Sequence, residues 1–211
     1  MNIATADTVI PIPFMADTRS VRLHFDFEDQ KRKMTPDEFW EFCAKNRKIR
    51  AELTKDGDVI IMPPTGFESS EKSIEIGSQL LNWAKKDGNG KVTDSNGAYV
   101  LPSGATYAPD AAWVKKDRLK HFTPEQMKKF LPLAPDFVIE LRSESDSLDD
   151  SKAKMAEWIE NGVQLGWFID PQNKQVHIYR PDRDVRILDD PAAVSGDDIL
   201  PGFELDLSEV W

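Results

Sequence analysis

The chain of 211 residues has a single cysteine, Cys43. A disulfide framework needs paired cysteines and a cysteine-rich zinc site needs several thiolates, so both are excluded. Histidine is almost as scarce. His24, His121 and His177 are scattered and lack the spacing of metal ligands. No apolar run approaches the roughly 20 residues that a membrane helix needs. The start, Met1-Asn2-Ile3-Ala4-Thr5-Ala6-Asp7, has neither a basic region nor an apolar stretch, so no secretory signal is read and a cytoplasmic protein is expected. No Gly-x-Ser-x-Gly elbow, P-loop or dinucleotide fingerprint occurs. An excess of positive charge is missing too: 27 Lys+Arg stand against 37 Asp+Glu, a net charge of −10. Residues 181–211 carry −7 of it, leaving −3 for the rest. Phosphate neutralisation, the main source of affinity for nucleic acid, therefore has no overall basic field to draw on. Only local clusters remain: 31–33, 45–50, 115–120 and Lys128-Lys129, which read first as solvated faces.

What is present is globular: 40% hydrophobic and 30% charged residues, with a length that buries about 70% of the unfolded surface in one sizeable core. Residues 1–34 show weak periodicity and read as an arm or edge segment; 35–211 read as one domain. Thr35-Pro36-Asp37-Glu38 starts a helix running to about Lys45. Asp56-Gly57 between Ile49–Leu53 and Val59–Met62 marks a β-hairpin. Apolar spacing of three and four predicts a helix over 69–86, stopped by Asp87-Gly88-Asn89-Gly90. Short strands are expected near 91–94, 98–101 and 110–114, and Thr123-Pro124-Glu125 repeats the helix start. The clearest strand is 136–142, followed by a helix over about 149–161 and strands 164–170 and 175–180. A helix between two strands implies a parallel crossover. The fold class is α+β, a mixed sheet flanked by helices, with an added N-terminal helix and hairpin. The four tryptophans Trp83, Trp113, Trp158 and Trp167 fall in periodic elements and are expected in the core.

Two carboxylates sit where acids are unusual. In strand 136–142, Phe137, Ile139 and Leu141 share one face, and Val138, Glu140 and Arg142 the other. Glu140 thus interrupts an apolar strand, and a buried carboxylate is costly unless paired or metal-bound. A Glu140–Arg142 pair on a wet face is the plain alternative. Asp110 follows Pro109 at a strand start, which by itself is ordinary turn chemistry. Together the two acids, projected from adjacent strands, make a site for a hard divalent cation such as Mg²⁺. Lys154 borders the apolar stripe of its helix and would reach a carboxylate at the strand end. An ordinary helix pair with Asp150 or Glu157 competes with that reading.

Six segments then resemble the Uma-type restriction endonuclease family, grouped by fold with the PD-(D/E)XK nucleases. They are M-P-P-T-G-F-E at 62–68, I-E-I-G-S-Q-L at 74–80, A-P-D-A-A-W-V at 108–114, P-D-F-V-I-E-L-R-S-E-S-D at 135–146, K-M-A-E-W-I-E-N-G-V-Q-L-G-W-F-I-D-P at 154–171, and L-P-G-F-E-L-D-L at 200–207. The resemblance implies a restriction-endonuclease-like core and metal-assisted hydrolysis of nucleic acid, DNA first, by a homodimer. Asp110 matches the motif aspartate and Glu140 the E-x-K acid; both would hold Mg²⁺ or Mn²⁺. Arg142 stands where the motif has lysine. Arginine keeps its proton near neutral pH and cannot act as a general base, so Arg142 would clamp a phosphate oxygen. Lys154 matches a lysine supplied from the following helix. Glu75 matches an acid of the first core helix that would bind a second metal or position the first, though it is equally readable as solvated; Glu52 and Glu68 match recurring acids of unassigned role. Two alternatives stand beside this reading. One is a nuclease-fold binding or regulatory module without catalysis; the other is a glycosidase using the two acids as its pair, recognisable by metal-independent activity.

Overall fold

Thr35 begins the first helix as its residue type predicts. In the computed structural model, which describes residues 21–24, 32–144 and 146–211, a short strand β1 (Val21–Leu23) precedes α1 (Pro36–Lys45). The Thr35 hydroxyl accepts from the Glu38 N–H, and the Glu38 carboxylate accepts from the Thr35 N–H at 2.9 Å, a reciprocal cap. Arg32 donates to the same carboxylate at 2.7 Å and holds its pKa down at about 2. The hairpin follows as β2 (Arg50–Leu53) and β3 (Val59–Met62). Its turn requires glycine: Gly57 has φ +87°, and a Cβ there would lie 2.9 Å from the Met34 nitrogen. Phe39 of α1 packs with Met34, Leu53 and Val59.

Helix α2 (Phe67–Asp87) ends at Gly88 in the left-handed conformation. After it come β4 (Gly90–Asp94), β5 (Tyr99–Val100), β6 (Thr106–Tyr107), β7 (Ala111–Lys115) and the one-turn α3 (Lys116–Leu119). The helix expected at Thr123 is a single 3₁₀ turn, Gln126–Lys128. Its only large apolar side chain, Met127, is 46% exposed, so a longer helix would have no face to bury. The chain continues through β8 (Phe137–Leu141), α4 (Leu148–Glu160), β9 (Leu165–Asp170), β10 (Gln175–Tyr179), β11 (Arg186–Asp189), β12 (Ala193–Ser195) and β13 (Glu204–Asp206).

The strands form two larger sheets and a ribbon. The order β11-β10-β9-β8-β7-β4 makes a mixed sheet in which only β8–β9 is parallel, with α4 as its crossover. The order β1-β3-β2-β6-β5 makes a second sheet, and β12 pairs with β13. Strand alternation sorts the two cores. Phe137, Ile139, Trp167 and Ile169 meet Ile76, Leu80 and Ala84 of α2 and the tail residues Leu200, Phe203, Leu205 and Leu207. Val138 and Phe168 meet Met155 and Trp158 of α4 on the opposite face. Trp211 joins the first core at its margin and donates its indole N–H to the Pro191 carbonyl at 2.9 Å. Among the described residues no helix is long and apolar enough to cross a membrane.

Gly90 is a close approach. A Cβ there would lie 1.9 Å from Trp113 Nε1, and Trp113 is itself enclosed in the core. Gly90→Ala must push a rigid indole, so a loss of about 1–3 kcal/mol is expected in urea unfolding. An unchanged midpoint would show that the indole has room to move.

Candidate active site

Strand register does the first part of the assembly. Ala111 of β7 faces Ile139 of β8, so one step outward sets Asp110 against Glu140. Asp110 Oδ2 accepts the Leu141 backbone N–H at 2.8 Å, which fixes the acid across the strand pair. Glu140 points to the α4 side, where the Trp158 indole donates to its Oε1 at 2.8 Å. Lys154, one turn before Trp158, places its Nζ 2.9 Å from the same oxygen. The ammonium has a second partner, Glu52 Oε1 on β2, also at 2.9 Å. That oxygen in turn accepts the Ala108 N–H at 3.0 Å. The Tyr107 ring lies beside the ammonium, 5.5 Å from Nζ to centroid, and its hydroxyl donates to Glu157 at 2.9 Å. Three acids and one lysine from four segments thus share one partly buried place. No three His, Cys, Asp or Glu side chains among the described residues form a ready metal cluster. Asp110 and Glu140 are the two carboxylates that the register sets against each other across β7 and β8.

The Uma2 family, described as a putative restriction endonuclease, matches residues 36–208. The chain belongs to this family. A solved structure described as a putative nuclease belonging to DUF820, from Anabaena variabilis ATCC 29413, is similar with a TM-score of 0.67. It shares 21% identity and the match covers 84% of this chain and 97% of that one. That likeness shows the fold, which is restriction-endonuclease-like, a mixed sheet between helices. No curated protein matches the chain. The span matched by Uma2 contains Glu52, Asp110, Glu140 and Lys154.

In this Uma2 chain the site's charges are strongly perturbed. Burial raises the Asp110 pKa, opposed by the Leu141 N–H and by the charges of Lys154 and Arg50. Burial also pushes Glu140 up to about 7; Lys154 pulls it down, while Asp110 and Glu52 push it further up. Burial alone would lower Lys154, but Glu140 and Glu52 outweigh it and raise its pKa above the ordinary lysine value. Lys154 is therefore an ammonium at neutral pH: it donates hydrogen bonds and carries charge, and it takes no proton from water.

The other expected residues lie differently. Glu140 and Arg142 do not pair with each other. Arg142 Nη1 donates to the fully buried Asp170 at 2.9 Å, and its other nitrogens reach the Asp146 carbonyl at 3.4 Å. The guanidinium expected to clamp phosphate is thus committed to the frame of the fold. Glu75 on α2 accepts from Gln79 at 3.0 Å, and among the described residues no hydrogen bond or ion pair links it to the Asp110–Glu140 pair. Glu68 pairs with Lys72 on the same helix at 2.7 Å. Lys154 passes over both helical partners weighed for it, Asp150 and Glu157. Sequence reasoning assigned no role to Glu52, Tyr107, Trp158 or Arg50. The first had a signal as a recurring acid; the others had none, because an indole or phenol donor in a core position reads as packing.

Proposed function

We propose that this Uma2 chain is a metal-dependent endonuclease that hydrolyses phosphodiester bonds of nucleic acid, with DNA the substrate to test first. One observation carries the reading: two partly buried, hard-oxygen carboxylates are set against each other across β7 and β8, with an ammonium already seated beside one of them. Carboxylate oxygens are the ligands that a hard divalent cation takes. Asp110 and Glu140 would hold Mg²⁺ or Mn²⁺. When bound, such a metal polarises a phosphoryl oxygen and lowers the pKa of a water. Lys154 would donate to the negative charge that develops on the phosphoryl group. Trp158 and the Leu141 N–H keep the two carboxylates in place while this happens. Cleaving both strands of a duplex needs two such sites, so a homodimer belongs to the reading and is checked by sedimentation of the full chain.

The test is a Mn²⁺ titration by calorimetry on the wild type, Asp110→Ala and Glu140→Ala. Binding that both substitutions abolish is expected. Binding indifferent to both would end the reading. Metal binding with no cleavage of any nucleic acid would favour the non-catalytic module, to which the net charge of −10 also points. Trp113, Trp158 and Trp167 are enclosed and offer no stacking face to a sugar, which counts against the glycosidase alternative.

The pH dependence of metal binding follows from Glu140. A proton and a metal ion compete for this carboxylate, whose pKa burial pushes up to about 7. Mn²⁺ affinity should therefore rise by up to about tenfold per pH unit below that value and flatten above it. Calorimetry at pH 5.5, 6.5, 7.5 and 8.5 checks this; an affinity already level from pH 5.5 would contradict it.

A further inference from the structure

The Glu52–Lys154 ion pair has no part in the chemistry assigned so far. We infer that Glu52 is a positioning residue: it keeps Lys154 in the site when a metal ion takes Glu140, and it is not a ligand of that metal. The inference rests on the endonuclease reading.

The ammonium of Lys154 is shared between two acids at the same distance, 2.9 Å. One of them, Glu140, is also the acid a hard cation would occupy. Two cations on one carboxylate repel each other, so the ammonium must yield there. Glu52 is placed to receive it. It is 5% exposed, and it comes from the second sheet, through β2, rather than from the strands that carry the metal acids. Its Oε1 is fixed by the Ala108 N–H, two residues before Asp110. The arm that holds the lysine is thus indexed to the strand that holds the metal acid. Tyr107 backs the ammonium, and its hydroxyl is held by Glu157, three residues beyond Lys154 on α4. A ligand role for Glu52 fits poorly. Both interactions of Oε1 go to N–H donors, and a metal on that oxygen would strand a buried backbone N–H. Nor do the three acids converge as a metal cluster.

A double-mutant cycle read by Mn²⁺ calorimetry separates the roles, because metal affinity needs no catalysis. The four proteins are the wild type, Glu52→Gln, Lys154→Met and the double variant, each full-length and checked for folding by thermal unfolding. Without the Glu52 charge, Lys154 falls back wholly on Glu140 and competes with metal. Glu52→Gln should then weaken Mn²⁺ by about tenfold in the wild type and by less than about threefold in the Lys154→Met background. Glu52→Asp, which keeps the charge on a shorter arm, should restore most of the affinity. If Glu52→Gln does not fold, the same cycle is run with Glu52→Asp, whose displaced arm should still weaken Mn²⁺ by about threefold only when Lys154 is present. An equal fall in both backgrounds would make Glu52 a ligand, and no fall in either would leave it without a role; both overturn the inference. Failure of the endonuclease reading looks different: the wild type binds no Mn²⁺, or binds it regardless of Asp110→Ala, and the inference falls with it.

Discussion

On the proposed reading, Lys154→Met should lower cleavage of DNA in the presence of Mn²⁺ by about 10²–10³-fold, the loss typical of removing one donor aimed at developing negative charge. It should also destabilise the protein, and by an amount that depends on pH. Removing one partner of a buried ion pair costs about 3–5 kcal/mol when the remaining charge has no escape. Glu140 has one: it can take a proton. Its pKa, already raised to about 7 by burial, loses the Lys154 charge that pulls it down, and so rises further in the variant. A carboxyl raised in the folded state contributes stability fully below its ordinary value of 4.5, and that stability is lost as pH climbs through the folded value. The Glu140 share of the deficit of Lys154→Met against the wild type should therefore be smaller at pH 5 than at pH 8, on top of a share from Glu52, which loses the same cation. Urea unfolding of both proteins at the two pH values checks this. A deficit of the same size at both would mean that the lysine stabilises through Glu52 and packing and not through Glu140.

Arg142→Ala should act on the frame of the molecule. Asp170 is fully buried and Arg142 is its cationic partner, with a side chain only 14% exposed. Removing the guanidinium leaves that carboxylate with the Asn173 side chain and the Gln172 N–H as donors, at 2.8 and 3.1 Å. A loss of about 3 kcal/mol is expected, since the acid keeps hydrogen bonds but no counter-charge. For a chain of this length that corresponds to a melting point lower by about 6–12 °C. Mn²⁺ affinity and, at a temperature where the variant is folded, DNA affinity should stay within about twofold of the wild type. Intact stability with weakened DNA binding would return Arg142 to the phosphate-clamp role that its place in the motif implies.

These two residues show what the sequence could and could not disclose. The local signals were chemical and held up: the Thr35 cap, the Asp56-Gly57 turn, and the crossover from β8 through α4 to the parallel β9. Each depends on neighbours within a few residues. The five-stranded sheet depends on pairings across about 50 positions, and β5 and β6 are two residues long, too short for alternation to register. The site divides along the same line. Glu140 stood out because an acid in an apolar strand breaks a pattern, and Asp110 only through the strand pairing that sets it against Glu140. Lys154 was readable as reaching a strand-end carboxylate, but on its own helix it had two ordinary partners to hand. That it spans 102 residues to Glu52 is a tertiary fact with no local trace. Arg142 shows the opposite case: its motif position suggested a ligand, while its buried partner Asp170 lay hidden in an apolar strand 28 residues on.

The seam between the two sheets has a practical consequence. Glu52 arrives on the hairpin, while Asp110, Glu140 and Lys154 all come after the exposed stretch Pro63-Pro64-Thr65-Gly66. Exposed loops with such residues are where chains tolerate a break. A chain severed there would yield two pieces, one carrying Asp110, Glu140 and Lys154, the other carrying Glu52, the partner of Lys154. Reassociation of the pieces would restore the Glu52–Lys154 pair, so this stretch is the natural place to cut the protein into a two-part switch.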